Sequence, residues 1–330
     1  MSAHRVHGFG LLVTLTLTFL VAPLAVNAQP PTKIFRLGFL SSSVTHVSHP
    51  FLTGLRQGLS ELGYQEGQNI TMAYRFGTTA ELPQLAEELV RLQVDVIVAG
   101  GSEGSLASKQ ATQTIPIVMT NSGDAVQSGL VASLRRPGGN ITGMPQNSPE
   151  LAAKRLALLQ ETVPGLSRVA VLWHPLHPNT PELFKKTQAA SQKLGLQLLS
   201  LAVKTSDDFD VAFATAIQQR AEALTVLRDP FMVQHRARIA EWTIESHLPA
   251  IDETRDFLEA GGLMLWGPSF WHLYRRSAYH VDKILKGAKP AEMAVQTPWE
   301  FEFVINLRTA QALGLTIPPT LLFQATEVIR

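Results

Sequence analysis

Gly100-Gly101-Ser102-Glu103-Gly104 matches the pattern G-x-S-x-G, between an apolar run at 94–98 and a helix-forming stretch. In a hydrolase that pattern lifts a serine onto a sharp strand-to-helix turn, which makes Ser102 a candidate nucleophile. The chemistry also requires a histidine base and an oxyanion donor loop of the HGGG type. No HGGG precedes Ser102, and His235, His247, His272 and His280 fall on segments whose spacing predicts helices or helix ends. The same residues suit a second chemistry. A helix N-terminus offers free backbone N–H groups to an anion or polar oxygen, with Ser102 as its cap and Glu103 in its first turn. Ser122-Gly123-Asp124 repeats that loop after the apolar run 115–119, and Ser41-Ser42-Ser43 follows the run 34–40. The expectation is binding, and no catalytic residue is assigned.

Other groups fit specific chemistries less well. His46/His49 and His174/His177 form two loop pairs, but no carboxylate stands in tight ligand spacing beside them, so no metal site is assigned. Neither G-x-G-x-x-G nor G-x-x-x-x-G-K-[ST] occurs, so no nucleotide cofactor is expected. Trp173, Phe231, Trp266 and Trp299 stand at expected strand ends or helix starts, where a ring either stacks on a ligand or packs a lobe interface.

The elements that position these loops are read from periodicity. Runs at 34–40, 69–74, 94–98, 115–119 and 140–142 predict strands, with amphipathic helices at 51–63, 81–92, 102–111 and 125–136 between them. Such alternation implies a parallel sheet with right-handed crossovers. Pro137-Gly138-Gly139 breaks the pattern. After Gly143 the alternation resumes, with strands at 168–173, 196–203, 223–228, 248–252, 261–266 and 301–306 and helices between, the longest at 269–286. The fold class is therefore α/β, two doubly wound parallel-sheet lobes joined by a hinge, with a ligand cleft outside the carboxyl ends of the strands.

The chain has 330 residues, 45% of them hydrophobic, which suits a globular protein of two lobes. Arg5, the apolar run LLVTLTLTFLV and Val26-Asn27-Ala28 before Gln29 have the order of a secretory signal peptide. The apolar run is short for a membrane span. Removing residues 1–28 takes away Arg5 and no carboxylate, which brings the formal charge from +1 to zero. Nothing in that balance points to nucleic acid. The absence of cysteine excludes disulfides, thiolate catalysis and a lipid-modified N-terminal cysteine. A periplasmic protein without a membrane anchor, and a monomer, is expected.

Longer segments carry a family resemblance. GLRQGLSELGYQEGQNI, LPQLAEELVRLQVDVIVAGG, RPGGNITG, AGGLMLWGPSFWHLYRRSAYHVDKILKGAKPAE and FEFVINLRTAQALGLTIP together resemble the ABC-transporter substrate-binding family that includes tryptophan- and tyrosine-type binding proteins. The resemblance runs from about Ile34 to the C-terminus. It implies the type I periplasmic-binding fold, with three crossings between lobes near Gly143, Trp266 and Pro298. The implied lobes are 29–142 with 267–297, and 143–266 with 298–330. It further implies an ABC permease as partner and a small polar or amino-acid-like ligand. From the loop positions, that ligand would meet Ser42, Ser43, Gly101, Ser102, Glu103, Ser122, Gly123, Asp124, Trp173, His174, Asp229 and Phe231. GGSEG, Asp124-Ala125-Val126, Trp173-His174-Pro175 and Leu265-Trp266-Gly267 depart from the family's usual loops, so the resemblance carries the fold and not the ligand's identity. The alternatives are a secreted hydrolase using Ser102 and an extracytoplasmic sensor. N-terminal sequencing of protein released by osmotic shock should find Gln29 or a near neighbour first; an intact Met1 in the membrane fraction would show an anchored protein.

Overall fold

The computed structural model describes residues 33–42, 46–146 and 150–330; the leader and Ser43 lie outside them. The first half runs β1 (Phe35–Ser41), α1 (Pro50–Glu61), β2 (Ile70–Phe76), α2 (Leu82–Arg91), β3 (Val96–Gly100), α3 (Gly101–Ala111), β4 (Ile117–Thr120) and β5 (Ile141–Met144). The chain continues through α4 (Glu150–Thr162), β6 (Arg168–Trp173), α5 (Thr180–Lys193), β7 (Gln197–Ala202), α6 (Asp208–Gln218), β8 (Ala223–Val226), α7 (Pro230–Gln234) and α8 (Arg236–Glu245). It ends with β9 (Ala250–Asp252), α9 (Arg255–Glu259), β10 (Met264–Pro268), α10 (Phe270–Leu285), a 3-10 turn at Pro290–Glu292, β11 (Phe301–Asn306), α11 (Leu307–Ala312), α12 (Pro319–Gln324) and β12 (Glu327–Ile329).

These strands form two sheets. One is five-stranded, ordered β2-β1-β3-β4-β5 and parallel throughout. The other has seven strands in the order β12-β11-β10-β9-β8-β6-β7, parallel except where β11 runs against β10. That one antiparallel pair follows from connectivity. The chain leaves the seven-stranded sheet after β10, makes α10 on the other sheet, and re-enters at the carboxyl end of β10, Phe301 beside Pro268, so that β11 runs back along it.

Side-chain alternation along each strand divides the five-stranded sheet into two apolar faces. Leu37, Phe39, Val96, Val98 and Val118 pack under α1 and α10, while Leu40, Ile97, Ala99, Ile117 and Met119 pack under α2 and α3. In the larger sheet, Val169, Ile251 and Met264 meet α4 on one face, and Leu172, Leu224 and Ala250 meet α6 and α8 on the other. The chain crosses between the sheets three times: after β5, between β10 and α10, and between the 3-10 turn and β11. Gly143 and Met144 lie in the five-stranded sheet, and Gly267 and Pro268 in the seven-stranded one.

Two local expectations need correction. The helix expected over 125–136 is absent, and β4 connects to β5 by an irregular loop. A single turn forms, with Ser128 N donating to Asp124 O, and Gly129 at φ +68° then turns the chain back so that Val131 N reaches Ala125 O. Ala125, Leu130 and Val131 are still buried, so the loop covers the same apolar surface a helix would have covered. The single helix expected over 231–247 is divided into α7 and α8 at His235, whose backbone leaves the helical region.

The packing of α10 on α1 depends on two glycines. A Cβ at Gly54 would lie 2.5 Å from the carbonyl oxygen of Trp271, and one at Gly58 2.2 Å from that of Arg275. Both contacts are with backbone, which cannot swing aside. Gly58→Ala should therefore cost about 1–3 kcal/mol, seen as a lower thermal midpoint. Gly139→Ala, where nothing lies within 4 Å of the added carbon, should leave the midpoint unchanged. Equal midpoints for the two variants would refute the role given to Gly58.

Candidate functional site

The carboxyl ends of both sheets open onto one cleft. A cavity of about 270 Å³ lies between α3, the loop after β4, the start of α5 and the loop after β8. A larger one, about 970 Å³, adjoins it and is lined by Ser42, His49, Phe51, Phe76, Phe231, Phe270 and Trp271 among others. Pro230 and Glu253 line both.

The first lobe contributes two loop tips. Gly101 takes φ +79° at the start of α3, which brings Ser102 and Glu103 to the cleft edge. Ser102 Oγ accepts hydrogen bonds from Gly123 N at 2.8 Å and from Asn179 Nδ2 of the second lobe at 2.6 Å. Glu103 Oε1 bonds to His177 Nε2, again across the cleft. Burial alone would raise the Glu103 carboxyl, but the hydrogen bond and charge of His177 outweigh it and hold its pKa below the ordinary 4.5. Asp124 accepts from Val126 N and Gln127 N as an Asx turn and faces Lys186 Nζ at 3.6 Å. Three polar contacts thus tie the tips of the first lobe to the 177–186 segment of the second.

Several residues expected at the ligand are engaged elsewhere. Ser122 is fully buried and its hydroxyl points to Met119 Sδ at 3.4 Å. Trp173 stacks on Phe184 at 4.5 Å and donates to Ser200 Oγ, which turns its ring away from the cleft floor. His174 bonds through Nδ1 to Asp229 Oδ2 at 2.7 Å and packs on Phe231. Ser122, Trp173 and His174 line neither cavity. Asp229 lines the smaller one, but its other oxygen caps α7 by accepting from Met232 N. Gly101, Ser102, Glu103, Gly123 and Asp124 do line it, while Ser42 and Phe231 line the larger. Ser102 works as an acceptor that joins the lobes, and the histidine beside it bonds to Glu103 instead.

The groups that remain unpaired in the smaller cavity, among the described residues, belong to no sequence motif. The amide oxygen and nitrogen of Asn121 are both buried without a hydrogen-bond partner among the described residues. So is Nε of Arg228, whose guanidinium lies over the Phe270 ring at 5.1 Å. Among the described residues Arg228 makes no ion pair. The nearby Glu253 is bound to Arg155 at 3.0 Å, both side chains almost fully buried. Asp252 beside it is pushed up to about 7, first by burial and then by the charge of Glu253, although backbone N–H and both arginines oppose the rise. The cleft therefore carries a half-buried guanidinium that makes no direct ion pair among the described residues, with Glu103 and Asp252 within Coulombic reach, beside an amide with donor and acceptor both free. That combination accepts a carboxylate.

A family model described as "ABC transporter substrate binding protein" matches residues 43–329. The chain belongs to the ABC-transporter substrate-binding protein family. Among curated proteins, the "Tyrosine-binding protein" of Clostridioides difficile is 27% identical over 282 residues, which is 82% of this chain and 79% of that protein. Among solved structures, a conserved domain protein from Vibrio cholerae superposes with a TM-score of 0.83 at 27% identity, over 90% of this chain and 100% of that one. A Streptococcus pneumoniae protein solved in complex with L-Trp gives 0.82 at 24% identity, over 89% and 99%. The fold is that of the type I periplasmic binding proteins. In this family member the signal for Arg228 was present in the sequence: it is the last residue of ALTVLR, at the carboxyl end of a strand and just before Asp229-Pro230.

A carboxylate with a lower pKa folded than unfolded adds stability above its unfolded pKa and loses it as pH falls through the folded value. Glu103 is such a group. Wild type should be about 1.5–3 kcal/mol more stable than Glu103→Ala at neutral pH, the worth of a hydrogen bond to a charged group. That gap should close as pH falls below 4.5, the ordinary value for glutamate. Denaturant titrations of both proteins across that range check it; a gap independent of pH would refute it.

Proposed function

We propose that this protein is the extracytoplasmic solute-binding component of an ABC importer. Its ligand is amino-acid-like, and the ligand's carboxylate is held between the lobes by Arg228 and Asn121. The observation that carries this reading is the half-buried guanidinium of Arg228, its Nε buried and without a hydrogen bond and the group without a direct ion pair among the described residues, lining the same cavity as the unpaired amide. A buried donor left alone is costly, and an arriving carboxylate removes that cost with a charge-assisted bond. Glu103 and Glu253 line the same cavity and supply negative charge for an ammonium group. The adjoining larger cavity has Phe51, Phe76, Phe231, Phe270 and Trp271 in its wall, which suits an aromatic body. The Clostridioides difficile relative is named for tyrosine, and the Streptococcus pneumoniae structure holds L-Trp; both agree with that choice of ligand.

The mechanism is a population shift. Ligand that contacts both lobes binds the closed form more tightly and so increases its share. The closed form, with the two sets of loop tips joined through Ser102, Glu103 and Asp124, is the one a membrane permease would read. Isothermal titration with L-tyrosine and L-tryptophan should show binding to wild type. Arg228→Ala should weaken it by at least about 30-fold, the 2 kcal/mol or more lost with one partner of a buried charge pair. Unchanged affinity in Arg228→Ala, or no binding of either amino acid, would defeat the proposal.

A further inference from the structure

Outside the cleft, a second cavity of about 270 Å³ lies where the chain changes lobes. Met144, Ser269 and Pro298, one from each crossing, are in its wall. The cavity has its own charged groups, and most are already paired. Glu61 accepts from Arg275 at 2.8 Å, and Glu300 from His272 at 2.9 Å. Arg276 is the exception. Among the described residues it makes no ion pair, and its Nε is buried without a hydrogen-bond partner. Its guanidinium lies 4.4 Å from the centre of the Tyr279 ring and 5.5 Å from that of Trp299. Trp299 is 53% exposed, an unusual fraction for so large an apolar side chain.

We propose that this cavity is a second ligand site, and that it takes a small carboxylate carried on a planar apolar body. Stacking on aromatic faces leaves the in-plane donors of Arg276 for an acceptor, and a carboxylate matches that fork. Leu62, Leu273 and Met144 make part of the wall apolar. A bare phosphate or sulfate could meet the same fork but would gain nothing from the apolar wall. The apolar body of an aryl carboxylate instead gains from that wall and from the open face of Trp299. Because the site lies outside the cleft, it stands or falls separately from amino-acid binding at Arg228.

The probe is para-fluorophenylacetate, followed by fluorine NMR on the full-length mature protein. It should bind wild type saturably and bind Arg228→Ala equally well. Arg276→Gln should weaken it about tenfold or more. Trp299→Ala, at an exposed position where folding is not at stake, should weaken it as well. No binding to wild type would overturn the proposal. So would binding that survives both Arg276→Gln and Trp299→Ala, or binding that is lost in Arg228→Ala, which would place the probe in the cleft.

Discussion

Parallel strands all point the same way, so every loop that follows a strand is delivered to one edge of the sheet. Here two such edges face each other, and the rest of the site follows from that constraint. The loop after β3 brings Glu103, the one after β4 brings Asn121 and Asp124, and the one after β8 brings Arg228 and Asp229. Residues far apart in sequence become neighbours without any long excursion of the chain. The two strands that run against the others, β11 and β12, sit on the side of the larger sheet away from β8, where they extend the core and leave the loop edge intact.

The polar groups of the cleft divide by whether their partners are already present. Ser102, Glu103, Asp124 and Asp229 are satisfied by other residues, and all but Asp229 have a partner in the opposite lobe. They favour the joined arrangement. Arg228 and Asn121 are the reverse: the amide of Asn121 and Nε of Arg228 are buried without a partner among the described residues. A buried polar atom without a partner is unfavourable, and under the proposed function the ligand's carboxylate supplies the missing acceptor as the lobes close.

Which parts of this were readable beforehand follows from the range of the forces involved. The strands and most helices were legible because burial imposes a period on neighbouring residues. The five-residue loop at 100–104 was legible as a strand-to-helix turn for the same reason. The loop over 125–136 was misread as a helix because its apolar residues are as frequent as a helix requires. The left-handed turn at Gly129 decides otherwise. Trp173 and His174 were placed in the ligand's path by their position at a strand end, but position does not fix a rotamer. The stack on Phe184 and the bond to Asp229 do, and both partners come from elsewhere in the chain. Arg228 was overlooked because an isolated arginine before Asp-Pro has no motif. Its position at the carboxyl end of a strand is readable in the sequence, but its lack of a partner among the described residues is visible only in the assembled fold.

The order of the chain has a further effect, on how the molecule is made. The core under β1 and β3 includes Tyr274, Ala278, Val281 and Ile284 of α10, and the larger sheet includes Val304, Ile305 and, at its edge, β12 near the C-terminus. Neither lobe is a continuous piece of sequence. During synthesis the amino-terminal lobe lacks one of its two covering helices on that face until most of the chain has emerged. Contacts of such long sequence separation form slowly, and a chain that lacks them keeps apolar surface open. A nascent molecule of this kind stays unfolded for longer than one whose first lobe closes by itself, and both lobes complete their cores late and nearly together.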